Sequence, residues 1–370
     1  MTTIEGRCSE RFAALRDELG ARLASGDEWG AAIAVYVDGE PVVDLWGGWA
    51  DAARTVPWQE DTLVCTFSCT KPVVALAALM LVERGELDLD APVARYWPEF
   101  AAAGKEAVAV RHLLSHTSGV SGWARPVELP DVYDWETSTA RLAAQPPWWT
   151  PGTASGYHAV TFGHLIGEVI RRTTGLKPGA FVAKEITGPI GADFHIGLGP
   201  AEYGRIAELL PVPPPVVDDG AVDPSSVAFR TFTGPALTDP AEFTTEAFRR
   251  ADIGAGNGHG TARALAGVFA AASPQTLDPV FAVQAEGVDL ALGVPLRWGV
   301  GFALPEPRTF PFLPDRRIAF WFGAGGSFVL VDPERRISAA YVMNKLNPGI
   351  ASANSAAYLS ALFAAAGSAA

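Results

Sequence analysis

Ser68 and Lys71 stand three residues apart in TFSCTK, just before the apolar run Pro72 to Val82. A serine hydroxyl is a weak nucleophile until a neighbouring base removes its proton. A lysine in apolar surroundings can be that base, because desolvation disfavours its ammonium form and lowers its pKa. The segment carries the marks of a helix: Pro72 in the first turn, good helix formers to Glu83, and Gly85 at the stop. Such a helix has Ser68 at its N-terminus and Lys71 one turn later on the same face. A helix start also leaves backbone N–H groups without intrahelical acceptors, and one beside the serine suits a developing oxyanion. A plain serine cap is the competing reading. It explains Ser68, but not a lysine at the head of a helix this apolar.

The positioning elements follow from hydrophobic patterning. The Lys71 helix is apolar almost all round and belongs in a core. Residues 31–48, AAIAVYVDGEPVVDLWGG, give two β-branched runs around Asp38-Gly39, the pattern of a tight hairpin. Strand-like runs return near 298–304, 318–322, 327–331 and 337–343, with Asp332-Pro333-Glu334-Arg335 turning between the last two. Residues 350–366, rich in Ala and Leu, predict a closing helix. At the other end, Phe12, Leu15, Leu19 and Leu23 recur at helical spacing, so MTTIEGRCSERFAALRDEL reads as an amphipathic helix.

Residues 66–196 read as mostly helical. Strands at both ends around helices predict an α+β fold: an antiparallel sheet from N- and C-terminal strands, flanked by helices, with a mostly helical lobe inserted. The expected division of one catalytic domain is an α/β lobe over about 1–65 and 255–370 and a helical lobe over about 66–254. Residues 197–258, including PVPPPVVDDG at 211–220, show little periodicity. Such a segment is either a loop at the site or a surface excursion.

A net charge of −13 over 370 residues disfavours nucleic acid and other polyanions, which need a cationic surface. No apolar run is long enough to cross a bilayer. The first residues lack the basic start and apolar middle of a secretory leader, so cytoplasmic residence is expected. Three cysteines, Cys8, Cys65 and Cys69, make no disulfide framework, and Cys65 and Cys69 match no metal-ligand spacing. No phosphate-cradling glycine loop and no His-Glu-x-x-His helix appears.

Ser-x-x-Lys before a buried helix resembles the nucleophile motif of serine β-lactamases and penicillin-binding proteins. VRHLLSHTSGVSG at 110–122, PGTASGYHAV at 151–160 and WFGAGGSF at 321–328 follow in the order seen in the class C β-lactamase-related superfamily, which includes D-alanyl-D-alanine peptidases and family VIII carboxylesterases. The resemblance implies Ser68 as acylated nucleophile, Lys71 as its proton acceptor and Tyr157 as the catalytic tyrosine, passing a proton to the leaving group. It implies that WFGAGGSF is an edge strand beside the serine, that the N–H groups of Ser68 and Ala324 form the oxyanion hole, and that the glycines admit substrate to the backbone. HLLSHTSG resembles a hallmark of structural role, so His112 and His116 are expected to pack and hydrogen-bond.

Two departures set the substrate expectation. Penicillin-recognising relatives usually carry Tyr-x-Asn and Lys-Thr-Gly, where this chain has Tyr157-His158-Ala159 and Trp321-Phe322-Gly323. The second change removes a cation that binds a ligand carboxylate. Trp321, Phe322, Gly323 and His158 are the expected substrate-binding group, with Trp321 the one aromatic among Trp123, Trp148, Trp149 and Phe322 trusted to line the pocket. His158 either tunes Tyr157 or points away. The pattern is closest to family VIII carboxylesterases and implies ester hydrolysis on a small molecule, without metal or organic cofactor. An amidase, D-amino-acid peptidase, weak β-lactamase or acyltransferase with the same machinery, and a non-enzymatic binding homologue, are the alternatives.

Overall fold

The computed structural model describes residues 3–124, 127–210, 223–233 and 241–367. Its main element is a nine-stranded sheet in the order β1-β3-β2-β12-β11-β10-β9-β8-β7, every pairing antiparallel. The strands are β1 (Ile4–Cys8), β2 (Gly30–Val37), β3 (Glu40–Gly48), β7 (Ala285–Val288), β8 (Pro295–Trp298), β9 (Ala303–Leu304), β10 (Ala319–Phe322), β11 (Phe328–Asp332) and β12 (Ile337–Met343). Both ends of the chain therefore build one sheet, and the fold is mixed α+β with a large antiparallel sheet and helices. A second sheet of three strands, in the order β4-β6-β5, joins β4 (Val64–Phe67), β5 (Phe194–Ile196) and β6 (Gly258–Gly260). The helices of nine residues or more are α1 (Ala13–Ser25), α2 (Thr70–Glu83), α3 (Trp135–Ala144), α4 (Thr161–Thr174), α5 (Ala262–Ala270) and α6 (Ala353–Gly367).

Successive side chains of a strand face opposite ways, so a sheet covered on both sides is apolar throughout. In β2, Ala31, Ile33 and Val35 join the buried cluster shared with α1 and α6, while Ala32 and Ala34 join the cluster around α2 and α5. In β12, Ile337, Ala339, Tyr341 and Met343 face the first cluster, and Ala340 and Val342 the second. The β2–β3 hairpin turns through Asp38 and Gly39, with φ of +57° and +81°. Two positive φ angles define the turn whose twist suits a two-residue hairpin.

Three expectations change. The N-terminal stretch is not one helix: Ile4–Cys8 is a strand paired with β3, and α1 begins at Ala13. The free edge of β3 offers backbone partners that outweigh weak local helix preference, and Gly6, at φ +94°, lies where a Cβ would fall 2.0 Å from Asp44 O. The apolar stripe Phe12, Leu15, Leu19 and Leu23 is buried as its spacing predicts. Second, β10 is no edge strand, since β11 pairs along its whole length and β9 pairs at Phe320. Third, the region read as mostly helical also contributes β4 and β5 to the small sheet. Within 197–258, residues 211–222 and 234–240, and so PVPPPVVDDG, lie outside the described residues.

Candidate active site

Ser68 lies in the two-residue turn between β4 and α2. The residue before it, Phe67, has φ +46°, a conformation that costs a bulky L-residue energy and persists only where the surroundings enforce it. Here they do. The Cys69 N–H donates to Thr66 O at 3.1 Å. The Thr70 hydroxyl donates to Phe67 O at 2.6 Å and accepts the Gly258 N–H of β6 at 2.9 Å. The Phe67 ring meets Phe243 edge-on at 5.0 Å.

Lys71, in the first turn of α2, is 2% exposed. Its Nζ is 3.0 Å from Ser68 Oγ and 2.7 Å from both Ala159 O and Ala255 O. The two carbonyls match the two N–H bonds of a neutral amine, which leaves the lone pair for the serine hydroxyl. Burial pushes the amine well below its ordinary 10.5, and among the described residues no carboxylate pairs with it to restore the charge.

Tyr157 lines the cleft with Ser68. Burial raises its phenol above the ordinary value, and the Ser68 side chain and Trp321 oppose that rise. The Trp321 indole N–H donates to the phenolic oxygen at 2.9 Å, and Lys71 Nζ sits 4.7 Å from the ring centroid. Burial thus disfavours the charged form of both groups, ammonium and phenolate alike. Lys71 is then the group able to accept a proton and Tyr157 the group able to relay one.

Across the cleft, β10 brings Trp321 and Phe322, followed by Gly323 and Ala324. A Cβ on Gly323 would lie 2.3 Å from Thr66 O and 3.3 Å from the Phe67 Cβ. This glycine therefore serves close packing of β10 on the strand that leads to Ser68, rather than substrate approach alone. Ser68 and Ala324 both line the cleft, and among the described residues neither N–H is used in a backbone hydrogen bond. The cleft encloses about 350 Å³. Trp123, Trp321 and Phe322 line it, whereas Trp148 and Trp149 do not. Thr231, Phe232, Phe243, Phe248 and Gly256 also line it, so parts of the irregular segment reach the cleft.

His158 is a correction. It is fully buried and absent from the cleft wall, with Nε2 2.7 Å from Ser118 Oγ and Nδ1 2.6 Å from Gly156 O. Both ring nitrogens are occupied away from Tyr157, and burial pushes the imidazole down to about 3, so it is a neutral tie between two loops. His116 Nδ1 accepts the His158 N–H at 3.1 Å, and His112 Nδ1 accepts the Ala109 N–H at 3.2 Å, both packing roles.

One organising residue escaped the sequence reading. Buried Asp289 accepts the N–H groups of Tyr157 at 2.9 Å and of Ala291 and Leu292 at 3.0 Å on Oδ1, and the Trp298 indole N–H at 3.2 Å on Oδ2. The bonds to residues two and three further on are those of an Asx turn, a legible signal. The bond to Tyr157, 132 residues away, is not.

A nucleophile turn followed by a buried lysine helix, set against a sheet strand and a distant tyrosine, is the arrangement of the serine β-lactamase group of enzymes. The Beta-lactamase family model matches residues 15–363, and the chain belongs to that family. It is 33% identical over 365 residues to Esterase/beta-lactamase LipL of Mycobacterium tuberculosis, covering 92% of this chain and 83% of that protein. A crystal structure of a family VIII carboxylesterase superposes with a TM-score of 0.91 at 37% identity, over 98% of this chain and 100% of that one. A penicillin-binding protein homologue from Caulobacter crescentus gives the same TM-score, identity and coverage.

Proposed function

We propose that this protein is a serine hydrolase that cleaves carboxylic esters through an acyl-enzyme on Ser68. The observation that carries the reading is the 3.0 Å approach of Lys71 Nζ to Ser68 Oγ, with Tyr157 on the same cleft wall and its ring centroid 4.7 Å from Nζ. Neutral Lys71 takes the Ser68 proton as the oxygen adds to the ester carbonyl, and the N–H groups of Ser68 and Ala324 receive the oxyanion. The intermediate collapses, the alcohol departs with a proton from the Tyr157/Lys71 pair, and water attacks the acyl-enzyme by the reverse path.

The absence of an amide side chain two residues after Tyr157 and the aromatic wall of Trp321 and Phe322 support an ester over an acyl-amide substrate, as do the esterase names of LipL and the carboxylesterase neighbour. The cleft draws on β4, β10 and the segment between, which supports one catalytic domain with the lobes expected from the sequence.

The test is covalent labelling with a fluorophosphonate, followed by comparison of kcat/KM for an aryl ester, a cephalosporin and a D-amino-acid peptide. One adduct on Ser68, lost in Ser68→Ala, with the ester preferred, is the expected result. A folded protein that takes no label, or one that prefers the lactam or peptide, overturns the reading.

A further inference from the structure

Among the described residues that line the cleft, Arg230 alone is charged. It lies in the short helix Val227–Phe232, and its position is held from three sides. Ser226 Oγ accepts the Phe229 N–H at 3.1 Å, the Thr231 and Ser121 hydroxyls bond at 2.7 Å, and the guanidinium carbon lies 3.8 Å from the centroid of the Trp148 ring. Trp123 and Arg230 also wall an adjoining pocket of about 630 Å³, completed by residues including Trp148, Ser225 and Phe229. Among the described residues no carboxylate lies within ion-pair reach of Arg230, and partial burial lowers its pKa. A partly desolvated cation without a counter-ion is an unfavourable arrangement that a ligand anion relieves. Stacking on an indole fixes the guanidinium plane and leaves its edge N–H groups for two-pronged contact with a carboxylate.

We propose that Arg230 recognises a carboxylate carried by the substrate at a distance from the scissile ester, in the chamber where the cleft meets the Trp148 pocket. The inference rests on Ser68 being the acylated nucleophile. It supplies from the 223–233 segment the cation that Trp321-Phe322-Gly323 lacks, and it narrows the substrate class to anionic esters.

The experiment uses two matched pairs. Para-nitrophenyl hemiadipate against para-nitrophenyl hexanoate places the anion in the acyl part, and the butyrate of meta-hydroxybenzoic acid against phenyl butyrate places it in the leaving group. In at least one pair the wild-type protein is expected to favour the anionic member through KM, with a preference that shrinks as salt is added. Arg230→Gln lowers the anionic-to-neutral ratio of kcat/KM by about 10- to 100-fold, the worth of a hydrogen bond to a charged group, and Arg230→Lys restores part of it. A ratio unmoved by Arg230→Gln, or a wild type that disfavours the anion in both pairs, overturns the proposal while neutral turnover and Ser68 labelling stand. A protein that turns over no ester and takes no label on Ser68 overturns the nucleophile reading, and this proposal with it.

Discussion

At the scale of single residues, the protonation state of Lys71 sets the chemistry. A base must be neutral to act, so activity is present above its folded pKa and lost as pH falls through it. Burial depresses that pKa well below 10.5, and kcat/KM for a neutral ester is expected to reach its plateau far below the range where an exposed lysine deprotonates. A profile still climbing near an ordinary lysine value contradicts a buried base. Arginine keeps its proton in proteins, so Lys71→Arg keeps a long basic side chain but puts a permanent cation in place of the proton acceptor. Single-turnover kinetics on the aryl ester are expected to slow by about 100- to 10,000-fold, the usual worth of a positioned base.

Among secondary-structure elements, the decisive contact is the end of β10 against β4, where a Cβ on Gly323 would lie 2.3 Å from Thr66 O. The two proposed oxyanion donors sit on opposite sides of this contact, so its spacing sets theirs. Gly323→Ala must move a backbone carbonyl that belongs to the strand leading to Ser68. Overpacking of this kind costs about 1–3 kcal/mol, which urea denaturation should detect. A donor displaced by a fraction of an ångström costs far more in rate, so kcat is expected to fall about 10- to 100-fold with KM changed little. A variant destabilised to that extent with an unchanged kcat would show that the contact holds the fold and not the oxyanion.

Over the whole molecule, buried Glu28 ties the two ends of the chain together. It follows α1 and precedes β2, and it accepts the Tyr341 hydroxyl from β12 and the Asn354 side-chain amide of α6 at 2.8 Å. Burial raises its carboxyl from 4.5 to about 7, against the lowering effect of these hydrogen bonds, and Oε2 has no partner among the described residues. The folded pKa exceeds the unfolded one, so the folded state holds the extra proton between about 4.5 and about 7. That contribution is full below the window and is lost as pH rises through it. A shift of this size corresponds to about 3 kcal/mol at most. Thermal melts at pH 5 and pH 8 should show the wild type losing stability across the interval and Glu28→Gln losing markedly less. Equal pH dependence in the two proteins would place the effect elsewhere.

The sequence by itself determined what local chemistry can encode. Asp38-Gly39 specified the hairpin, the apolar run after Lys71 specified a buried helix, and Ser68 with Lys71 marked the proposed nucleophile and base, because all three depend on residues within a few positions of one another. The motif order extended this to Tyr157 and the β10 strand. Tertiary structure alone decided the rest. The free edge of β3 made Ile4–Cys8 a strand, His158 turned to Ser118 and away from the cleft, Asp289 held Tyr157 from 132 residues away, and Arg230 entered a cleft wall whose other described residues are uncharged. Each of these outcomes depends on which distant group supplies a hydrogen-bond partner or withholds a counter-charge, and only the packed chain brings such groups into reach.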